Sequence, residues 1–178
     1  DSLPSRGLGD VYKRQVTNMH ELAHSISRAV ESAESMAGFP IQKVVCNLSG
    51  GKPITRVTSN KLKIENQSVK QKDLEKIEKI NNQNKIDNYL LLSSTPIKFV
   101  IDNNNVVDNP VGMHTEVLTV DLANIYGNEV VIKNITHAVE LCHLLVEKFI
   151  ITPEASGISC MIKDERYEGA TIIDLGET

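Results

Sequence analysis

The chain has no tryptophan, and aromatic residues make up 4% of its 178 positions. A surface that stacks bases or sugar rings needs more than that, so single-strand nucleic-acid and carbohydrate readers are disfavoured. Positive charge is not in excess either. The net charge is -4 and the pI is near 5.7. Lys61, Lys63, Lys70, Lys72, Lys76 and Lys79 alternate with Asp73, Glu75 and Glu78, which describes a solvated mixed surface and no nucleic-acid partner. Three cysteines, Cys46, Cys142 and Cys160, stand singly in apolar surroundings without a C-x-x-C pair. They are expected to be reduced, buried thiols of a cytoplasmic protein. No apolar run is long enough to span a bilayer, and Asp1 to Gln15 lacks the apolar stretch of a secretory signal. Those fifteen residues have neither helical nor strand periodicity, so they are expected to be a non-native or disordered leader and are set aside.

What remains is 40% hydrophobic and 24% charged, enough for one sizeable core or two small ones. Met19, Leu22, Ala23, Ile26, Ala29, Val30, Ala33 and Met36 recur at three- and four-residue steps. This predicts a helix over Met19 to Ala37, capped by Asn18 and ended by Gly38 and Pro40. Ile41 to Leu48 reads as a buried strand entering the Ser49-Gly50-Gly51 loop. From Thr55 to Asn128 the texture changes. Short strands are expected at Val57 to Ser59 and Lys61 to Ile64, a charged helix at Lys70 to Asn81, and a strand pair between Tyr89 and Ile101 broken at Thr95-Pro96. An Asn109-Pro110-Val111-Gly112-Met113 turn then precedes a strand from Glu116 to Ile125. Beyond Asn128 come a helix Glu129 to Leu145, a strand Glu147 to Ile151, a helix Pro153 to Met161, a polar turn Lys163 to Glu168 and a buried strand Ala170 to Ile173. The fold class is therefore α/β with an α+β insert: residues 16–54 and 129–178 form the host layer, and 55–128 form an inserted strand-helix-strand-strand unit.

Three patterns carry chemistry or imitate it. The final strand delivers Asp174-Leu175-Gly176, a carboxylate and a glycine of the kind that closes on phosphate and metal, though ordinary turns use the same residues. His20-Glu21-Leu22-Ala23-His24 is H-E-x-x-H on a helix, the spacing of a zinc hydrolase. The extended zinc motif would need glycine at position 27 and histidine at position 30, where Ser27 and Val30 stand, and both histidines face away from the apolar stripe. His137, Cys142 and His143 do not share one helix face, and Cys142 continues the stripe of Val131, Ile135, Ala138, Leu141 and Leu145, so packing is expected. Ser49 and Ser156 have glycine neighbours but no nucleophile-elbow context. No catalytic residue and no metal ligand is assigned.

Several short motifs follow one another in order along the chain. They are the run Ala29-Val30-Glu31-Ser32-Ala33-Glu34-Ser35-Met36-Ala37-Gly38, the strand into Asn47-Leu48-Ser49-Gly50-Gly51, the turn Asn109 to Met113, and Asn134. Pro153-Glu154-Ala155-Ser156-Gly157, Asp164-Glu165 before Gly169, and Asp174-Leu175-Gly176 complete the series, which spans about Val16 to Gly176. In that order they resemble the FtsA family of bacterial cell-division proteins, and the resemblance implies a partial actin-like (ribonuclease H-like) subdomain interrupted by the strand-helix-strand-strand subdomain. It implies a membrane-tethered, filament-forming adaptor that links FtsZ to the inner membrane at the division site and recruits later division proteins. In the intact family ATP and Mg²⁺ are bound between two phosphate loops. The first would precede residue 16, and the second would continue as Gly-x-Gly-Thr-Thr where this chain has Glu177-Thr178. Asp174 and Gly176 are thereby implied to face the phosphates of an incomplete site. This chain is expected to have no enzymatic activity and no cofactor of its own. Self-association and division-protein contacts are expected through the insert, with FtsZ and membrane contacts made by other parts. The alternatives are another actin-like relative, such as a pilus-assembly adaptor or a chaperone-type ATPase, and the zinc hydrolase.

Overall fold

The computed structural model describes residues 18–65, 68–102 and 105–173, so the leader Asp1 to Gln15 and the pair Asp174 and Gly176 lie outside the described residues. The elements run α1 (Met19–Ala37), β1 (Lys43–Leu48), β2 (Ile54–Lys63), α2 (Gln71–Asn81), β3 (Tyr89–Ile101), β4 (Asn105–Val107), β5 (Val117–Asn128), α3 (Glu129–Leu141), β6 (Leu145–Ile151), α4 (Thr152–Cys160) and α5 (Lys163–Glu168). They divide into two compact units. Pro53–Gly127 is one, and the segments up to Lys52 and from Asn128 onward together make the other.

In the two-segment unit, α1 packs on α3, α3 on β6, and α4 on β6 and β1. β1 and β6 pair in parallel from Lys43↔Leu145 to Leu48↔Ile151, with a register shift between Val44 and Val45. α1 starts where Asn18 Oδ1 accepts the amides of His20 at 3.0 Å and Glu21 at 3.3 Å. It stops where Gly38 takes a φ of 77° and donates to the Glu34 carbonyl. The Glu34 carboxylate then accepts the Ile41 amide at 2.7 Å, tying the last turn to the approach of β1.

The packing departs from the expected stripe in definite ways. Met19, Leu22, Ala23, Ile26 and Val30 are half-buried, but Ala29, Ala33 and Met36 are exposed, because α1 rests on one partner helix along one line only. α3 ends at Leu141, not Leu145. His143 adopts φ 58° and turns the chain, and the Leu145 amide bonds the Gln42 carbonyl at 3.0 Å as β6 begins. Ile132, Ala138 and Val139 are the buried residues of α3, whereas Leu141 is exposed. β1 alternates exposed and half-buried positions and is not the buried strand its sequence implied, since a two-stranded sheet covers little of either face. Lys163 to Glu168 closes into a short helix where a turn was expected. Ala170 to Ile173 has no ladder partner among the described residues and is not a strand; Ile173 is exposed.

In the Pro53–Gly127 unit the sheet order is β2-β5-β3-β4. β2 and β5 pair antiparallel over ten residues, Ile54↔Tyr126 to Lys63↔Val117, and β4 pairs with Phe99–Ile101 of β3. Two expected breaks are absent. β2 is one strand through Asn60, because all ten residues find a register partner on β5. β3 is one strand through Pro96. Its β4 neighbour covers only Phe99 to Ile101, so Pro96 sits where β3 has a free side and a missing N–H is tolerated. Ile64, Val69, Ile77, Ile101, Leu118, Val120 and Leu122 form the core, flanked by Leu62, Leu74, Phe99 and Val107. Each fully buried aliphatic side chain contributes about 1.5–3 kcal/mol of transfer free energy.

Two local devices orient α2. The Asn109 to Met113 turn reaches back, with the Gly112 amide on the Val69 carbonyl at 2.8 Å and the Val69 amide on the Met113 carbonyl at 2.9 Å. Gly112 has φ 87°, a conformation that a side chain would strain. At the helix start Asp73 Oδ2 accepts the Lys70 amide at 3.0 Å, and Oδ1 accepts Lys76 Nζ at 3.0 Å. The amide first, and the ammonium second, hold the Asp73 carboxyl below its ordinary range. A depressed folded value stabilises the fold above the ordinary carboxylate pKa of about 3.9 and is lost as pH falls through the folded value. Urea midpoints measured by circular dichroism from pH 5 downward should therefore fall more steeply for the parent chain than for Asp73→Asn, and parallel profiles would refute that role for Asp73.

Candidate functional site

The most constrained polar feature joins α2 to three strands. Asn81, the last residue of α2, and Asn124 of β5 are both 0% exposed. Asn81 Nδ2 donates to Asn124 Oδ1 at 2.7 Å, and Asn124 Nδ2 donates back to Asn81 Oδ1 at 3.2 Å. Thr58 of β2 donates its hydroxyl to Asn81 Oδ1 at 2.7 Å and accepts Asn124 Nδ2 at 2.8 Å. The second Asn81 amide proton reaches Ser94 Oγ on β3 at 3.1 Å. Every polar atom of the amide pair is thus satisfied without solvent, which is the condition for such a network to stabilise rather than strain a core.

One member of this network, Thr58, also lines a cleft. Arg56, Thr58, Ser59 and Asn60 of β2, Tyr126 of β5, and Gln83, Asn84, Lys85 and Ile86 of the connection after α2 line a cleft of about 590 Å³. Arg56, Thr58 and Asn60 lie on one face of β2 by strand alternation, the face Thr58 turns to Asn81. Tyr126, 2% exposed, closes the end. Arg56 and Lys85 are exposed, and no carboxylate lines the cleft. Chemically it offers two cations and a set of amides, suited to holding an anionic or hydrogen-bonding ligand and not to bond-breaking. A smaller apolar cleft of about 160 Å³ lies between α2 and the sheet, lined by Leu74, Ile77, Pro96, Phe99, Val120 and Leu122 among others.

The residues singled out from sequence fall elsewhere. His20 and His24 are exposed on α1, and no group of three His, Cys, Asp or Glu side chains converges on a metal-sized site among the described residues. His137 and His143 are exposed. Cys142 packs between helices as expected. Its Sγ accepts the Ser27 hydroxyl at 3.3 Å, and it lies 3.2 Å from the Ala23 carbonyl and 3.3 Å from that of Ala138, either of which can take the thiol proton. All three cysteines are free; Cys46 and Cys142 are half-buried, but Cys160 is exposed on α4, contrary to expectation. Burial pushes the Cys46 thiol up, away from reactivity. The cleft residues were not foreseen. One signal pointed to them: the amide run Asn81-Asn82-Gln83-Asn84 after a charged helix.

A strand, a helix and three further strands, one of them the short edge strand β4, share a private core and are flanked in sequence by the two segments of an α/β unit; together they define a chain that carries an SHS2 domain. Residues 50–126 match the family described as the SHS2 domain inserted in FtsA. Over 176 residues the chain is 30% identical to the cell division protein FtsA of Rhizobium meliloti (strain 1021), covering 96% of this chain and 40% of that protein. FtsA of Escherichia coli (strain K12) is 30% identical over 176 residues, covering 98% and 41%, and FtsA of Bacillus subtilis (strain 168) is 25% identical over 178 residues, covering 98% and 40%. The chain belongs to the FtsA family of cell-division proteins and carries that family's inserted subdomain. It spans about two fifths of the length of these curated relatives.

Asn81→Ala removes a partner from the half-buried Thr58 and Ser94 and both of the bonds that the buried Asn124 makes to it, and should cost about 3 kcal/mol of stability in urea unfolding. Arg56→Gln, at an exposed position, should stay within about 0.5 kcal/mol of the parent. Equal effects of the two substitutions would mean that the amide network is not what ties α2 to the sheet.

Proposed function

We propose that this chain is the adaptor portion of an FtsA-type division protein, with Pro53–Gly127 as its protein-interaction unit and the two flanking segments as part of an actin-like subdomain. The observation that supports this is the likeness along 96–98% of the chain to FtsA proteins of distant bacteria, coupled with an SHS2 unit that has its own core. In the intact protein the family role is to link FtsZ to the inner membrane at the septum and to recruit later division proteins. On this reading the protein works at the cytoplasmic face of that membrane; no helix among the described residues is long and apolar enough to cross it.

The division of labour follows from the chemistry. Pro53–Gly127 mediates contact with neighbouring FtsA-like subunits and other division proteins, and it has no need of nucleotide to present its cleft. ATP and Mg²⁺ belong to the intact protein, where Asp174 and Gly176 face the phosphates from the second phosphate loop. FtsZ and membrane contacts are assigned to the remaining length of the family's chain. Catalysis of phosphate transfer needs groups that clamp the nucleotide from both sides, so this chain alone turns over no ATP.

Two experiments test the reading. A fluorescent fusion of the chain expressed in dividing cells of a relative should gather at midcell, whereas the same fusion with Pro53–Gly127 replaced by a flexible Gly-Ser linker should be diffuse. Identical diffuse distributions would remove the assignment of interaction to that unit. Purified chain incubated with ATP and Mg²⁺ should release no inorganic phosphate above the blank, and release that scales with protein concentration would overturn the non-enzymatic assignment.

A further inference from the structure

Among the described residues, the Pro53–Gly127 unit leaves one long strand edge without a partner in its own sheet. β2 stands at the end of the order β2-β5-β3-β4, and all ten of its residues pair on the β5 side alone. An edge of that length is a template for another strand. Its later half carries the exposed cations Lys61 and Lys63, a common guard against uncontrolled pairing, while its earlier half runs along the cleft.

A strand added to this edge would place successive side chains on opposite faces of the sheet. One set would stand over Arg56, Lys85, Asn60, Gln83 and Asn84, where two cations and three side-chain amides meet no carboxylate. The other set would come beside Val57, which is 62% exposed on the face opposite Thr58 and offers an apolar cross-strand neighbour. The floor is already rigid, because Thr58 is held by both Asn81 and Asn124. A partner therefore meets a preorganised wall and spends little ordering entropy on it.

We propose that the outer edge of β2 and the adjoining cleft bind an extended peptide segment in which carboxylate side chains alternate with apolar ones. The proposal deepens the interaction role assigned to Pro53–Gly127 and rests on it. The carboxylates pair with Arg56 and Lys85, the main chain completes the β2 ladder, and the apolar residues cover Val57. A single-stranded nucleic acid fits less well: the one aromatic lining the cleft, Tyr126, is buried and cannot serve as a stacking platform. The cleft also lies beyond the C-terminal end of α2, where the helix dipole repels anions, so its preference for carboxylates depends on the two cations.

The test uses the whole chain and labelled heptapeptides of alternating valine and glutamate, read by fluorescence anisotropy. The glutamate peptide should bind at least tenfold tighter than its glutamine counterpart, with a preference that shrinks as salt rises. Arg56→Gln and Lys85→Gln should each weaken it about fivefold, the size of one exposed ion pair, and together abolish the preference. Methylating alternate peptide amides on the pairing edge should abolish binding altogether. Both substituted side chains are exposed, and unchanged circular dichroism and urea midpoints would exclude a folding defect. Equal binding of the glutamate and glutamine peptides, undiminished binding of the methylated peptide, or tighter binding of a heptauridylate would each overturn the proposal. None of these outcomes bears on the midcell assay, which fails or succeeds on the unit as a whole.

Discussion

Two asparagine side chains that exchange hydrogen bonds out of reach of water set the geometry on which the Pro53–Gly127 unit depends. Asn81 ends α2 and Asn124 lies in the middle of β5, so their mutual bonds at 2.7 and 3.2 Å fix where the helix stops above the sheet. A slip of one residue along β5 would turn Asn124 to the opposite face and strip the buried Asn81 of both bonds it makes to that residue. An aliphatic pair at the same positions could fill the volume but would not select one register. The connection Asn82 to Asn88 starts from that point, and with it the far wall of the cleft.

The other unit is built differently. Its polar constraints are local: Asn18 and Asn128 cap α1 and α3, and Glu34 fastens the end of α1 to Ile41. Among the described residues its sheet has two strands, and β1 and β6 bury Leu48 while Val45 and Leu145 stay exposed. Apolar exposure of this kind is characteristic of a layer that gains from further strands or a covering surface. The contrast with Pro53–Gly127, which closes its own core, has a functional sense. A self-contained unit can present a binding edge without depending on its host for stability.

Some of this was legible along the chain. The 3.6-residue period with Asn18 and Gly38 at its ends located α1 to the residue, because caps and periodicity are both local. The ordered motifs from the Ala29 to Gly38 run through Asn109 to Met113 and onward carried the family. Other features were misjudged for identifiable reasons. Pro96 looked like a strand break, but a break depends on whether a neighbour needs the missing N–H, and β4 is too short to need it. Leu141 and Leu145 looked like helix stripe, yet His143 at φ 58° ends the helix, and nothing in that residue's chemistry announces a positive φ. Ala170 to Ile173 has strand composition but no partner, and a strand exists only where another pairs with it. The cleft was missed because Arg56, Lys85 and Tyr126 are far apart in sequence and none stands out alone.

The sequence by itself determined the helix limits set by caps, the mixed α/β texture, the change of texture between Thr55 and Asn128, and membership of the FtsA family. All of these reside in near-neighbour patterns or in the order of short motifs. Only the tertiary structure decided which apolar positions are covered, that β2 ends its sheet with a free edge, and that Thr58, Ser94 and Asn124 converge on Asn81 beside a basic cleft that Thr58 lines. Those outcomes rest on contacts between residues 13 to 66 positions apart, whose register is chosen by satisfying buried amides together and cannot be assigned one residue at a time.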